Sequence, residues 1–316
     1  MILLKSVQGD GRTCKYFVII SLVSVFSISI ESSALKKSDF NAVDFFESMR
    51  AHSRQFDLEY AGKSPVALAF KALYDQFFIK DFDYRQEPRI PKIIHQIWLG
   101  SKLPQQYYQW QQTWIKYHPD WQYILWTDAE IEKLDLENKS LYDACKSYGA
   151  KSDIARYEIL YRFGGMYVDT DVECLQPLDI FHHSCDFYAS CDNAEKGRII
   201  RITNALIGIK PRHSIMKLCI EKIKKLPVGP IRGAEQVIAA TGPGLLTECF
   251  FETSSEWHGP CVIFPATYFV PFPWSARFIE ANSSDDNVKK WIKPESFAIH
   301  YWHGSWTNYS HKFKAQ

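Results

Sequence analysis

A single α/β domain behind a short helical segment is the fold class this sequence predicts, and three observations carry it. An apolar strand, an amphipathic helix and a second apolar strand succeed one another over residues 92–126, which is how a parallel sheet with a crossover helix begins. A helix over 153–163 closes on Gly164-Gly165 and passes directly into the apolar run 165–172. Short apolar runs then recur at 187–190, 205–209, 261–264 and 297–302, reading as strands buried in a sheet.

The chain of 316 residues is 46% apolar and 15% aromatic. That is enough for a sizeable core and far from the composition of disorder. Its 37 basic and 36 acidic residues leave a net charge of +1, so no long-range field draws it to nucleic acid. Eight cysteines occur without a CxxC pair, which removes zinc-ribbon and thioredoxin-type motifs. Cys185 and Cys191 are placed to pair in an oxidising compartment; separate buried thiols are the equal alternative.

Arg12 and Lys15 precede residues 16–30 (YFVIISLVSVFSISI), an uncharged run of 15. A basic flank before an apolar run is the pattern of a secretory leader or signal-anchor, although a full membrane span takes about 20 residues. Ser32-Ser33-Ala34 offers small residues for cleavage. Residues 1–34 therefore read as a leader or an anchor. The protein is accordingly expected either in a membrane of the secretory pathway or cell envelope, or secreted. Over 35–88, Phe40, Val43, Phe46 and Met49, then Leu68, Leu73 and Phe77, recur at helical spacing. This helical extension ends at Pro88, and the main domain spans 89–316.

Within that domain, residues 92–99 (KIIHQIWL) lie between Pro91 and Gly100 and form the first strand. After Pro104, Tyr107, Trp110, Trp114 and Tyr117 line one face of a helix that Pro119 stops. Residues 121–126 (WQYILW) form the second strand. No GxGxxG follows the first strand, so the dinucleotide fingerprint is absent. Further helices are expected near 213–225 and 234–240.

The helix over 153–163 has Ser152 as its expected N-cap and glycines as its stop. Asp153, Arg156, Tyr157 and Leu160 share its central sector, flanked by Ile154, Ile159, Tyr161 and Phe163, while Ala155, Glu158 and Arg162 point away. Two charges on a face that ought to be apolar are costly unless paired or bound to a polar ligand. An internal i, i+3 ion pair and a ligand pocket both account for them.

Asp169 and Asp171 end the next strand. Alternation puts both on one face, about 7 Å apart along the chain. Neighbouring anions repel unless a cation sits between them or water screens them. A solvated loop and a metal site are the two readings of the pair alone.

Together these pieces resemble the DXD-containing glycosyltransferases of family 32 and their sugar-binding region. That group includes yeast Golgi and inositol-phosphoceramide mannosyltransferases, with the large clostridial glucosylating toxins as distant relatives. The matching pieces are PKIIHQIWLG from Pro91, WQYILWTD from Trp121 and KSDIARYEILYRFGGMYVDTD from Lys151. Asn204-Ala205, Thr241-Gly242-Pro243, Ala298-Ile299-His300 and Gly304-Ser305-Trp306 follow in order.

The resemblance implies a GT-A fold, that is, a Rossmann-like single α/β domain with a mixed sheet. It also implies a nucleotide-sugar donor, a divalent cation and retention of anomeric configuration. By position, Asp169 and Asp171 match the metal and diphosphate carboxylates, and Asp153 and Arg156 match residues that hold the donor sugar. Trp98 resembles the aromatic near the nucleotide base, and Asn204 lies where the family approaches the donor. The toxins' C-terminal metal ligands do not match cleanly; His300 is the expected third ligand, with His303 the second choice.

The implied chemistry is coherent. A nucleoside diphosphate gathers negative charge as it leaves, and a hard cation on carboxylates neutralises it. Oxygen ligands suit Mn²⁺ or Mg²⁺ rather than a soft metal. The acceptor is then a glycan, glycolipid or protein hydroxyl.

Other features read more plainly. His95 lies on the strand face opposite Trp98, where a structural role is expected. Thr241 to Gly244 forms a turn whose N–H groups either approach a phosphate or serve the turn alone. Pro271 to Trp274 is an aromatic surface turn or an acceptor platform. GxSxG and HExxH are absent. Two rival readings stand beside the transferase. One is a nucleotidyltransferase of related fold, for which Gly100-Ser101-Lys102 is a poor phosphate loop. The other is a non-catalytic sugar- or calcium-binding module.

Overall fold

The computed structural model describes residues 7–9, 12–14, 42–52, 56–192, 200–231, 233–278 and 285–304. The apolar run 16–30, Phe40 and Ser305-Trp306 lie outside them. Among the described residues, no helix is long and apolar enough to cross a membrane. Residues 1–35 and 36–316 form two separate units. In the first, β1 (Val7–Gly9) and β2 (Arg12–Cys14) pair antiparallel.

The second unit begins with α1 (Phe45–His52), α2 (Leu58–Lys63) and α3 (Pro65–Tyr74). Proline at the first turn of α3 and the Ser64 hydroxyl accepting from the Ala67 N–H fix where that helix starts. It passes into a π-helical turn, Asp75–Lys80. Then come β3 (Ile93–Ile97), α4 (Gln105–Tyr117) and β4 (Gln122–Trp126). Next are α5 (Asp128–Glu132), α6 (Lys139–Ala144) and α7 (Tyr148–Phe163).

After α7, the chain forms β5 (Gly165–Val168), β6 (Val172–Cys174), α8 (Asp179–Ser184), β7 (Phe187–Ser190) and β8 (Leu206–Ile209). It ends through α9 (Ser214–Lys224), α10 (Ala234–Ala240), α11 (Pro243–Glu252), β9 (Cys261–Phe264), α12 (Asp285–Lys289) and β10 (Ala298–His300).

A six-stranded sheet runs in the order β4-β3-β5-β8-β7-β9. The pairs β3/β4, β3/β5 and β7/β9 are parallel, and β8 is antiparallel to both its neighbours. This is a mixed α/β sheet of the GT-A kind. Because only β8 is reversed, the carboxyl ends of β3, β4, β5, β7 and β9 share one edge with the amino end of β8. Trp98, Asp169 and Asn204 all leave the sheet at that edge, where open α/β sheets bind their ligands. A second ribbon, β6 with β10 antiparallel, adjoins it and sets His300 opposite Val172.

Two expectations change here. α7 starts at Tyr148 with Ser147 as N-cap, so Ser152 lies inside the helix. Nor does α7 have an outer face at Ala155 and Glu158, since both are buried. The Glu158 carboxylate accepts N–H groups from Glu137 and Asn138 at 2.7 and 2.9 Å, capping the start of α6. The cysteines from Cys145 onward are all buried free thiols, Cys185 and Cys191 among them.

Gly164 and Gly165 are dictated by backbone and space together. Both have positive φ, 61° and 91°. A Cβ on Gly164 would meet Pro211 Cδ at 2.6 Å, and one on Gly165 the Ile93 carbonyl at 2.6 Å. The helix can therefore turn into β5 only through residues without side chains.

Candidate active site

The strand expected over 165–172 breaks after Val168. The Val172 N–H reaches back to the Asp169 carbonyl at 3.2 Å, making a turn between β5 and β6. Strand alternation is thus not what gathers the two aspartates. The turn does so, and the segment after β10 holds it. Tyr301 N–H donates to the Asp171 carbonyl at 2.9 Å, and His303 N–H to Asp171 Oδ2 at 2.8 Å. His300 Nε2 stands 3.1 Å from Asp171 Oδ1.

Asp169, Asp171 and His300 consequently offer three ligand atoms within 4.8 Å of one another. Two carboxylates and an imidazole suit a hard or borderline divalent ion. The buried His300 Nδ1 has no hydrogen-bond partner. His303 contributes its backbone N–H to Asp171, and its ring packs 5.0 Å from that of Trp110.

The sugar half expected on α7 adjoins this cluster. Arg156 is buried, and its Nη2 lies 3.4 Å from Asp153 Oδ1, 3.2 Å from Asp169 Oδ1 and 3.1 Å from the Tyr167 hydroxyl. Its Nη1 donates to the Asn204 carbonyl, and the guanidinium carbon sits 4.1 Å from the Tyr167 ring centroid. Asn204 Nδ2 donates in turn to Asp153 Oδ1 at 2.8 Å. The i, i+3 pair and the ligand pocket are therefore not exclusive: the pair exists, and it joins Asn204 and Asp169 in one buried network.

Electrostatics separates the carboxylates. Burial pushes Asp153 up to about 6 against the pull of Arg156. Burial likewise raises Asp169, again opposed by Arg156. Burial would raise Asp171 too, but the adjacent His300 and the His303 N–H hold it well below the usual carboxylate range. Burial works against a charged His300, yet Asp171 raises its pKa above the ordinary histidine value.

Trp98 stands at the carboxyl end of β3, half-buried, with its Nε1 donating to Ser101 Oγ at 3.2 Å. Its ring lies 4.8 Å from that of Tyr107, which continues through His303 and Trp110 toward Asp171. His95 is structural, as expected: fully buried, it accepts from Trp126 Nε1 and contacts the Gly164 carbonyl at 2.9 Å. Phe272 of the 271–274 turn is buried beside Tyr107 and Trp110.

Tyr167 and Thr241 escaped the sequence reading as members of this network. Tyr167 donates to Asp169 Oδ1 at 2.7 Å, and Thr241 Oγ1 to Asp153 Oδ2 at 3.0 Å. For Tyr167 a signal was available, since it precedes Asp169 by two in the strand expected over 165–172, where alternation places both on one face.

Residues 104–187 match the family described as the glycosyltransferase sugar-binding region containing the DXD motif. Inositol phosphoceramide mannosyltransferase 2 of Schizosaccharomyces pombe is 33% identical over 147 residues, 45% of this chain and 41% of that protein. Inositol phosphoceramide mannosyltransferase 3 of the same yeast is 24% identical over 72% of this chain and 64% of its own length. The chain thus spans between two fifths and two thirds of these curated relatives. Among solved structures, the PaToxG glycosyltransferase is 15% identical with a TM-score of 0.45, covering 74% of this chain and 87% of its own. The resemblance carried by the sequence motifs holds.

Proposed function

We propose that this chain, which carries the DXD sugar-binding region, is a metal-dependent retaining glycosyltransferase. It moves a hexose, mannose being the first choice, from a nucleotide-sugar to a glycan, lipid or protein hydroxyl. The observation that carries the reading is the contiguity of two half-sites: the Asp169, Asp171 and His300 cluster and the Asp153, Arg156 and Asn204 network share Asp169. The relatives' names favour mannose and a sphingolipid-type acceptor.

Asp169, Asp171 and His300 would hold Mn²⁺ or Mg²⁺. The cation would supply positive charge for the departing diphosphate and orient it. Asp153, ionised above pH about 6, accepts hydrogen bonds from hydroxyls of the transferred sugar. Arg156 fixes that carboxylate relative to Asp169 and keeps the pocket's charges balanced as the donor enters. Trp98 offers an indole for the nucleotide base at the same sheet edge. The leader or anchor at 16–30 fits a site of action at secretory-pathway membranes.

The deciding experiment is a screen of nucleotide-sugars for hydrolysis by the purified protein with Mn²⁺, then transfer to lipid and glycan acceptors. Failure to hydrolyse or transfer from every common nucleotide-sugar would overturn the reading.

A further inference from the structure

Asp153 is held from a distant part of the chain. Its Oδ1 accepts from Asn204, and its Oδ2 from the Thr241 hydroxyl at 3.0 Å, across 88 residues of sequence. Thr241 is fully buried at the C-cap of α10. Its hydroxyl also lies 3.2 Å from the Val237 carbonyl one turn back. A hydroxyl carries a single proton, so the bond to Asp153 competes with the back-bond that threonine ordinarily makes on a helix.

The following residue docks on α7 as well. The Gly242 carbonyl accepts from the Tyr157 hydroxyl at 3.3 Å, and a Cβ at Gly242 would stand 3.4 Å from Asp153 Oδ2. The N–H groups of Thr241 and Gly242 both donate to the Val237 carbonyl, at 3.1 and 2.8 Å. Those two amides are therefore spent within α10, not offered to a phosphate. What the turn delivers to the site is a hydroxyl, aimed at the carboxylate.

We propose that Thr241 is a positioning residue for the donor sugar. It holds the Asp153 carboxylate so that the lone pairs left free by Thr241 and Asn204 meet hydroxyls of the transferred hexose. This role rests on the nucleotide-sugar reading of the site. A carboxylate has about four acceptor positions, and Thr241 and Asn204 engage one on each oxygen. Without Thr241, the carboxylate is free to turn onto the Arg156 guanidinium 3.4 Å away, which satisfies the arginine at the sugar's expense.

The test uses full-length protein with Mn²⁺ and calorimetry against GDP-mannose, UDP-glucose and the matching nucleoside diphosphates. Thr241→Val keeps the shape and loses the hydroxyl. It is expected to weaken nucleotide-sugar binding at least about tenfold, the scale of one hydrogen bond to a charged group, and to leave the diphosphate affinity unchanged. In turnover the loss appears in KM more than in kcat, and Thr241→Ser restores binding.

Equal effects on both ligands, or none, with the fold intact by circular dichroism, overturn the role. Should Thr241→Val not fold, Thr241→Ala carries the test, because it removes the hydroxyl that Asp153 Oδ2 accepts from and sets no larger group against the carboxylate. An unchanged ratio of sugar to diphosphate affinity in that variant overturns the role equally. Wild-type protein that binds none of the four ligands sinks the transferase reading and this role with it. Loss of selectivity confined to the variants sinks neither.

Discussion

Arg156 Nη2 stands 3.2 Å from Asp169 Oδ1, tying the middle of a buried helix to the first residue beyond the sheet, 13 positions on. The same nitrogen is 3.4 Å from Asp153. One guanidinium therefore sets the distance between the carboxylate assigned to the sugar and the one assigned to the metal.

That geometry makes Arg156→Lys a severe change. An ammonium has no planar fork to span Asp153, Asp169, Tyr167 and the Asn204 carbonyl together. Turnover is expected to fall about a hundredfold or more, the scale of a small misplacement of reacting groups. Arg156→Ala also leaves buried carboxylates uncompensated, at a stability cost of about 3–5 kcal/mol. Steady-state donor hydrolysis and thermal melting check both; wild-type turnover in the lysine variant would remove Arg156 from the site.

Asp171→Asn keeps the shape of the turn and removes its charge. Turnover is expected to vanish while circular dichroism stays native. A ligand at a hundred times its Kd adds about 2.7 kcal/mol of stability, so Mn²⁺ should raise the wild-type melting temperature and leave the variant's where it is. A variant still stabilised by Mn²⁺ would break the metal assignment.

Acid should destabilise the fold through its buried neutral histidines. Burial pushes His95 and His213 down to about 4, and His182 well below its ordinary value. In the unfolded chain each titrates near about 6.5, so between pH 6.5 and 4 the unfolded state binds protons that the native state refuses. Stability is thus lost as pH falls through that window, by up to about 3 kcal/mol for His95. Asp153, raised to about 6, acts in the opposite sense below that pH, and so do His300, Asp169 and Glu158 through their raised pKa values. His118, lowered by burial, adds to the other three histidines, which together outweigh them. Denaturant midpoints at pH 7.5 and 5.0 measure the balance; a midpoint that rises on acidification contradicts it.

Gly164→Ala and Gly165→Ala each meet backbone strain and a contact of 2.6 Å. Each should cost at least about 2 kcal/mol, or several degrees in melting temperature at about 2–4 °C per kcal/mol. Because α7 enters β5 through this pair, turnover should fall with them. A melting temperature unchanged in either variant would show that the turn relaxes.

Where local signals are strong, the sequence locates elements to the residue. β7 over 187–190, β9 over 261–264 and α10 over 234–240 coincide with their apolar runs and stops. The start of α7 was not legible, because Tyr148 to Lys151 has no apolar period and is helical through tertiary packing. The break at Asp169–Asp171 was hidden for a related reason: the groups that pin it, from Tyr301 and His303, arrive about 130 residues later. Asp153, Arg156 and Asp171 were legible as charges out of place. Thr241 was not, since a threonine before Gly-Pro is ordinary turn chemistry until its hydroxyl is seen to reach Asp153.

The helices that precede the sheet have their own claim on the fold. Phe70 of α3 packs against Phe250 and Phe251 of α11, Phe78 lies 4.8 Å from Phe264 of β9, and the Tyr74 and Tyr268 hydroxyls meet at 2.9 Å. Nearly the whole unit must be synthesised before those partners exist. As the chain leaves the ribosome or a translocation channel, this aromatic surface waits uncovered for 180 to 194 residues of growth. The nascent protein is therefore a natural client for chaperones, and synthesis halted before β9 would leave a sticky intermediate rather than a smaller folded one.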